Sequence, residues 1–125
     1  MQCGQSFRIC KKCGNLTGMI HDSGTPMFCC GREMSELIPN SVDASKEKHV
    51  PVIQINGAQV SVEIGAEPHP MTEAHAITWI YLKEKSGGQR RCLKFNAPAK
   101  TVFTTTDPEA IYAYCNLHGL WIKEI

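Results

Sequence analysis

Two tight cysteine pairs, Cys10-Lys11-Lys12-Cys13 and the adjacent Cys29-Cys30, constrain the start of this chain more than any other feature. Two intervening residues let both thiolates of a C-x-x-C knuckle reach one metal, and Gly14 directly after it suits the left-handed backbone that such a turn needs. Backbone N–H groups in a knuckle of this kind point at sulfur and stabilise its charge. Cys29 and Cys30 follow sixteen residues on, and four thiolates together make a tetrahedral site suited to zinc or iron. Neighbouring residues that both turn toward one ion distort that tetrahedron.

Seven cysteines in 125 residues would suggest a disulfide scaffold in a small secreted protein. The odd number and the close pairing favour metal ligation instead. The opening Met1-Gln2-Cys3-Gly4-Gln5 lacks the basic and apolar regions of a secretory signal, so the expectation is a soluble, cytoplasmic protein. Thirteen basic side chains against twelve acidic ones leave the chain near neutral, which argues against a nucleic-acid or polybasic membrane partner. No apolar stretch approaches the ~18 residues of a membrane-spanning helix.

The Gly- and Cys-rich stretch 1–37 has no sustained apolar period. At roughly 37 residues it is shorter than the ~40 at which a domain usually stabilises itself without a metal, disulfide or partner. Metal binding and folding are then one event. Residues 38–46 read as a linker opening the second unit, 38–125. From Val50 the pattern is that of strands. Val50, Val52, Ile53 and Ile55 form a β-branched run stopped by Asn56-Gly57, and Val60, Val62 and Ile64 then alternate with Ser61 and Glu63. Ala76–Leu82 is followed by a Ser86-Gly87-Gly88 turn. Cys92–Phe95, Thr101–Thr105, Ile111–Tyr114 and Leu120–Ile125 supply four more candidates, although Pro108–Tyr114 also fits a helical turn. About seven short strands predict a mainly β protein whose second unit is a sandwich of two antiparallel sheets.

That second unit carries four of the five histidines. His49 opens the first expected strand, His69 sits between Pro68 and Pro70, and His75 begins the strand carrying Trp79. Cys115 and His118 form a C-x-x-H pair in Cys115-Asn116-Leu117-His118-Gly119. All five positions are strand ends or loops, which can converge at one end of a sandwich. Four imidazoles plus a thiolate exceed the tetrahedral set that zinc prefers. Imidazole suits iron, nickel and copper, and five donors leave one octahedral position open. His21 has no matching partner and reads as an exposed polar residue. Cys92 reads as a small apolar strand residue and Cys3 as a terminal thiol. Phe7, Trp79, Tyr81, Tyr114 and Trp121 read as core or interface residues.

The C-x-x-C followed by Cys29-Cys30, over roughly Phe7 to Met34, resembles the desulforedoxin module, a small rubredoxin-like unit that binds one redox-active iron. Glu47-Lys48-His49-Val50-Pro51, His69-Pro70-Met71 with His75, and Cys115-Asn116-Leu117-His118-Gly119 resemble the motifs of the desulfoferrodoxin and neelaredoxin family, the superoxide reductases. The likeness runs in order over nearly the whole chain. It implies an immunoglobulin-like sandwich behind a desulforedoxin-like module, and two iron ions per chain. One is tetrahedral at Cys10, Cys13, Cys29 and Cys30. The other is square-pyramidal, with equatorial His49, His69, His75 and His118, axial Cys115, and an open sixth position.

The implied reaction is one-electron reduction of superoxide to hydrogen peroxide with uptake of two protons. Lys48 would attract the anion, as a cation beside an exposed metal steers small anions. Glu47 matches a family carboxylate that can occupy the open position of oxidised iron. Alone, both are ordinary surface residues. The resemblance further implies an electron relay at the four-cysteine iron, a small donor such as rubredoxin, and a homodimer. Two rival readings are a zinc-ribbon interaction module joined to an immunoglobulin-like binding domain, and an electron-transfer protein whose second iron is coordinatively closed. The first leaves five soft donors at strand ends without a purpose.

Overall fold

The computed structural model describes residues 5–125, so Cys3 lies outside the described residues. The chain divides into two compact units, the first ending at Ile38 and the second running Pro39–Ile125.

The first unit contains β1 (Ser6–Ile9), β2 (Leu16–Met19), β3 (Phe28–Cys29), β4 (Arg32–Glu33) and β5 (Ser35–Glu36). β1 lies between β2 and β5 in one antiparallel sheet, and β3 with β4 forms a separate two-stranded hairpin. The knuckle joins β1 to β2, whose register runs from Ser6↔Met19 to Ile9↔Leu16. Among the described residues of this unit, only Phe7, Cys10 and Met34 are buried apolar groups. Three side chains cannot offset the ordering entropy of more than thirty residues. The cross-link must therefore come from the cysteines.

The second unit begins with one helical turn, α1 (Lys46–His49). Seven strands follow: β6 (Pro51–Asn56), β7 (Gln59–Ile64), β8 (Ile77–Glu84), β9 (Gly87–Cys92), β10 (Lys100–Thr104), β11 (Pro108–Cys115) and β12 (Gly119–Glu124). They form two antiparallel sheets, ordered β10-β7-β6 and β12-β11-β8-β9. The core between them includes Val60, Val62, Ile64, Ile77, Ile80, Leu82, Phe103, Ile111 and Ala113. The alternation read along β7 holds: Val60, Val62 and Ile64 are buried. Gly57, at φ +61, opens the two-residue loop between β6 and β7, where a left-handed backbone at the first position suits glycine.

Several expectations change. His49 closes a helical turn instead of opening a strand, because the strand begins only at Pro51. The fourth strand lies at Gly87–Cys92, earlier than Cys92–Phe95. Lys85-Ser86 make the turn, and Gly87 and Gly88 are strand residues. At Gly88 a Cβ would come within 2.7 Å of the Leu82 carbonyl oxygen of the neighbouring strand and meet the hydroxyl end of Tyr81. Pro108–Tyr114 is strand, and its lack of alternation has a cause: the outer face of its sheet is aromatic. Tyr114 stacks on Trp79 at 5.6 Å and Tyr112 meets Tyr81 edge-on at 6.2 Å. Cys92 is exposed rather than packed. Asn40, expected in a linker, is docked on β12. Its backbone N–H donates to Leu120 O, and its side chain exchanges two hydrogen bonds with Ile122. Among the described residues no helix is long and apolar enough to cross a membrane.

Candidate metal centres

In the first unit the knuckle is closed by Gly14 N–H to Cys10 O (2.8 Å) and Cys10 N–H to Asn15 O (2.8 Å). The return strand pair brings the other two thiols over it. Cys30, at φ +54, takes the left-handed conformation that lets adjacent residues turn their sulfurs the same way. The four Sγ atoms lie within 4.8 Å of one another, with Cys13–Cys29 at 3.6 Å and Cys29–Cys30 at 3.9 Å. Donors ~2.3 Å from a central ion are spaced at about 3.8 Å in a tetrahedron. Asn15 aims its backbone N–H at Cys13 sulfur (3.5 Å) and its side-chain amide at Cys29 sulfur (3.6 Å).

Backbone N–H groups of Cys13 and Lys12 hold the Cys10 thiol down at about 6. The neighbouring sulfurs of Cys13, Cys10 and Cys29 push Cys30 up to about 12. Four thiolates so close cannot all ionise by themselves. A multivalent cation among them removes the conflict, so the donors fit a tetrahedral iron or zinc.

The second centre is assembled from three segments of the sandwich unit: α1, the loop 65–76, and the turn joining β11 to β12. Their imidazoles form a closed square in the order His49, His69, His75, His118. Adjacent ring centroids are 4.7, 4.7, 4.9 and 4.9 Å apart, with planes crossed by 74–89°. Across the square, His49 and His75 are 6.4 Å apart and tilted by 31°. Donor atoms of His49, His69, His75 and Cys115 all lie within 4.8 Å of one another. His118 Nδ1 lies 3.1 Å from His49 Nε2 and 3.9 Å from Cys115 Sγ.

Hydrogen bonds orient the rings. His49 Nδ1–H donates to Ser45 O and His69 Nδ1–H to Pro70 O, each at 2.6 Å, leaving both Nε2 lone pairs for the interior of the square. His69 Nε2 and His75 Nε2 are buried without a hydrogen-bond partner. Such orphaned nitrogens are costly unless something else binds them. Burial lowers His49 and His75, and takes His69 from 6.5 to about 4, so these rings are neutral donors at neutral pH. Burial raises the Cys115 thiol, against backbone N–H groups of Leu117 and His118 that face its sulfur. Opposite donors ~2.1–2.3 Å from an ion are about 4.2–4.6 Å apart. This nitrogen-rich set with one sulfur fits iron.

Four of the five predicted donors share one cluster, His118 meets it through His49 and Cys115, and the four predicted cysteines lie together in the first unit. Lys48 and Glu47 are exposed on α1, beside the second centre. The Lys48 charge reaches both His49 and His75. Ser45 Oγ donates to Glu47 Oε2 at 2.9 Å and holds that carboxyl below its usual range. His21 is exposed.

Sequence reasoning missed the framing residues. Trp121, read as core, stacks on His49 at 4.8 Å and 22°. Ser45 serves His49 through its carbonyl and Glu47 through its hydroxyl. Gly65, at φ +84, lies so close under α1 that a Cβ would come within 2.7 Å of Glu47 O. A bulge at Thr78 sets Ile77 opposite Cys115, and both are fully buried. No single-sequence signal marks these roles, except that a glycine directly after a strand permits close backbone approach.

A four-thiolate knuckle joined to a seven-stranded sandwich with a four-imidazole, one-thiolate cluster defines a two-centre non-haem metalloprotein. A family model described as Desulfoferrodoxin matches residues 41–124. A desulfoferrodoxin of Syntrophotalea carbinolica is 40% identical over 116 residues, 92% of each chain. A protein named superoxide reductase from Pyrococcus horikoshii is 36% identical over 68% of this chain and 91% of its own. The crystal structure of the superoxide reductase from Treponema pallidum aligns with a TM-score of 0.80 and 32% identity, covering 97% of this chain and 99% of that one. The chain belongs to the desulfoferrodoxin family.

Proposed function

We propose that this chain is a superoxide reductase, in which superoxide takes up one electron and two protons and leaves as hydrogen peroxide. The observation that carries this reading is the square of four imidazoles with a buried cysteine sulfur beside it, in a member of the desulfoferrodoxin family. Iron held by His49, His69, His75, His118 and Cys115 supplies the electron when bound.

The chain's own groups do the rest. Carbonyls of Ser45 and Pro70 lock the tautomers of His49 and His69, so no proton competes for their inward nitrogens. Two N–H groups facing Cys115 sulfur stabilise its anion in a buried setting and withdraw part of its electron density. Lys48 steers the small anion in and orders the water that protonates it. Glu47, kept ionised by Ser45, shields the site after turnover and helps displace product.

The four-cysteine iron of the 1–37 module serves as relay or entry point to the 38–125 domain, whose residues 38–46 join the two. A small carrier such as rubredoxin is the donor, and the protein works as a cytoplasmic homodimer. Pulsed superoxide tests the activity: protein reduced without oxygen should lose its ferrous signal at a near diffusion-limited rate and yield peroxide without releasing oxygen. A slow reaction, or zinc in place of iron after anaerobic purification, refutes it. Lys48→Ala should slow association several-fold at low salt and flatten its dependence on ionic strength, with both irons retained. An unchanged rate removes the steering role.

A further inference from the structure

Three of the five donors of the second centre sit on two chain segments that one side chain, Asn116, joins by two hydrogen bonds. His75 lies in a tight turn, where Thr72 N–H donates to His75 O (3.0 Å) and His75 N–H donates to Thr72 O (3.2 Å) and Oγ1 (3.2 Å). Cys115 and His118 lie in the turn between β11 and β12. Asn116, between them, reaches across. Its Oδ1 accepts from Ala76 N–H at 2.9 Å, its Nδ2 donates to Glu73 O at 3.1 Å, and its backbone N–H donates to Ala76 O at 3.1 Å. The carboxamide thus copies a peptide unit, its donor on Glu73, two residues before His75, and its acceptor on Ala76, directly after it.

From this geometry we infer that Asn116 is a positioning residue, which presets the spacing between His75 and the Cys115/His118 pair and so governs how firmly and with what symmetry the second centre holds its metal. Only asparagine does this from that position. Aspartate keeps the acceptor for Ala76 N–H but turns an oxygen toward the Glu73 carbonyl, where two acceptors repel. Alanine loses both side-chain bonds. The backbone bond to Ala76 O survives in either case, so the turns stay near each other while their register loosens. Asn116 is itself exposed, so its removal opens no cavity in the core. Residues that orient metal ligands without binding the metal commonly change affinity by ~10–100-fold.

The inference rests on the reading that iron binds at the second centre, and the test separates the two. Full-length holoprotein carrying Asn116→Ala or Asn116→Asp is compared with the parent for iron loss to a chelator, for the sulfur-to-iron absorption band, and for amide exchange at Ala76. Iron loss from the second centre should rise about tenfold in Asn116→Ala and less in Asn116→Asp. The sulfur-to-iron band should shift, Ala76 exchange should quicken only in the alanine variant, and the four-cysteine spectrum should stay the same. Parental iron loss and an unshifted band in both variants overturn the assignment. So does equal loss from both centres with a lowered unfolding midpoint, which would make Asn116 a support of the fold at large. If the parent holds no iron at this centre, the functional reading falls, and Ala76 exchange still decides the brace.

Discussion

Burial decides the protonation of the second centre. His69 is taken from 6.5 to about 4 by desolvation, with His49 and His75 lowered in the same sense. In metal-free protein the unfolded chain therefore binds more protons than the folded one between about 6.5 and 4. Stability from these rings is fully present above 6.5 and is lost as pH falls through the folded values. Cys115 runs the other way: its thiol is raised above 9.0, so its contribution is present below 9 and lost at higher pH. For the Pro39–Ile125 unit of metal-free protein, the expected result is a thermal midpoint that is flat between about pH 7 and 9 and declines on both sides. His69→Gln should shallow the acid decline, and a midpoint level from pH 7 to 4 would refute the account. These donors were legible in the sequence because each chemistry-bearing type stood out at a loop or a C-x-x-H spacing. The Ser45 and Pro70 carbonyls that orient two of them were not, because any loop supplies a backbone carbonyl, and Asn116 was not, because its side chain bonds Ala76 and Glu73 rather than a donor.

The β elements were readable where one face is buried and the other wet. β7 alternates because Ser61 and Glu63 face away from the core, while β11 does not because aromatic rings cover its outer side. α1 escaped notice because four residues carry no periodicity, and its shape comes from tertiary contact. Gly65 N–H donates to Val50 O and Glu67 N–H donates to Glu47 O, which ties the loop after β7 to that turn. A side chain at Gly65 would meet Glu67 O at 2.5 Å and Lys48 C at 2.7 Å, on a backbone already at φ +84. Gly65→Ala should cost about 1–3 kcal/mol in backbone strain alone, and more as α1 is pushed outward with His49. Urea unfolding measures the first effect, and iron content of the second centre after gel filtration measures the second. Wild-type values for both would mean that α1 is not fixed by this contact.

For the molecule as a whole, the two units have different reasons to be folded. The Pro39–Ile125 unit has a continuous apolar core, whereas the first unit buries three apolar groups among its described residues and depends on its four thiols. That contrast was visible in composition, since Gly and Cys dominate one stretch and β-branched residues the other. The exact edge was less so, because Asn40 looks like linker and yet pairs with β12. Cys13→Ser separates the units: it removes one exposed thiol of the tetrahedron and leaves the sandwich sequence intact. The first iron should be lost and residues 5–38 should become protease-sensitive. The second centre should keep its iron and its reaction with superoxide, because among the described residues its five donors and their hydrogen-bond partners come from the second unit. Joint loss of both irons from this single change would mean that the first unit is required to fold or to load the second.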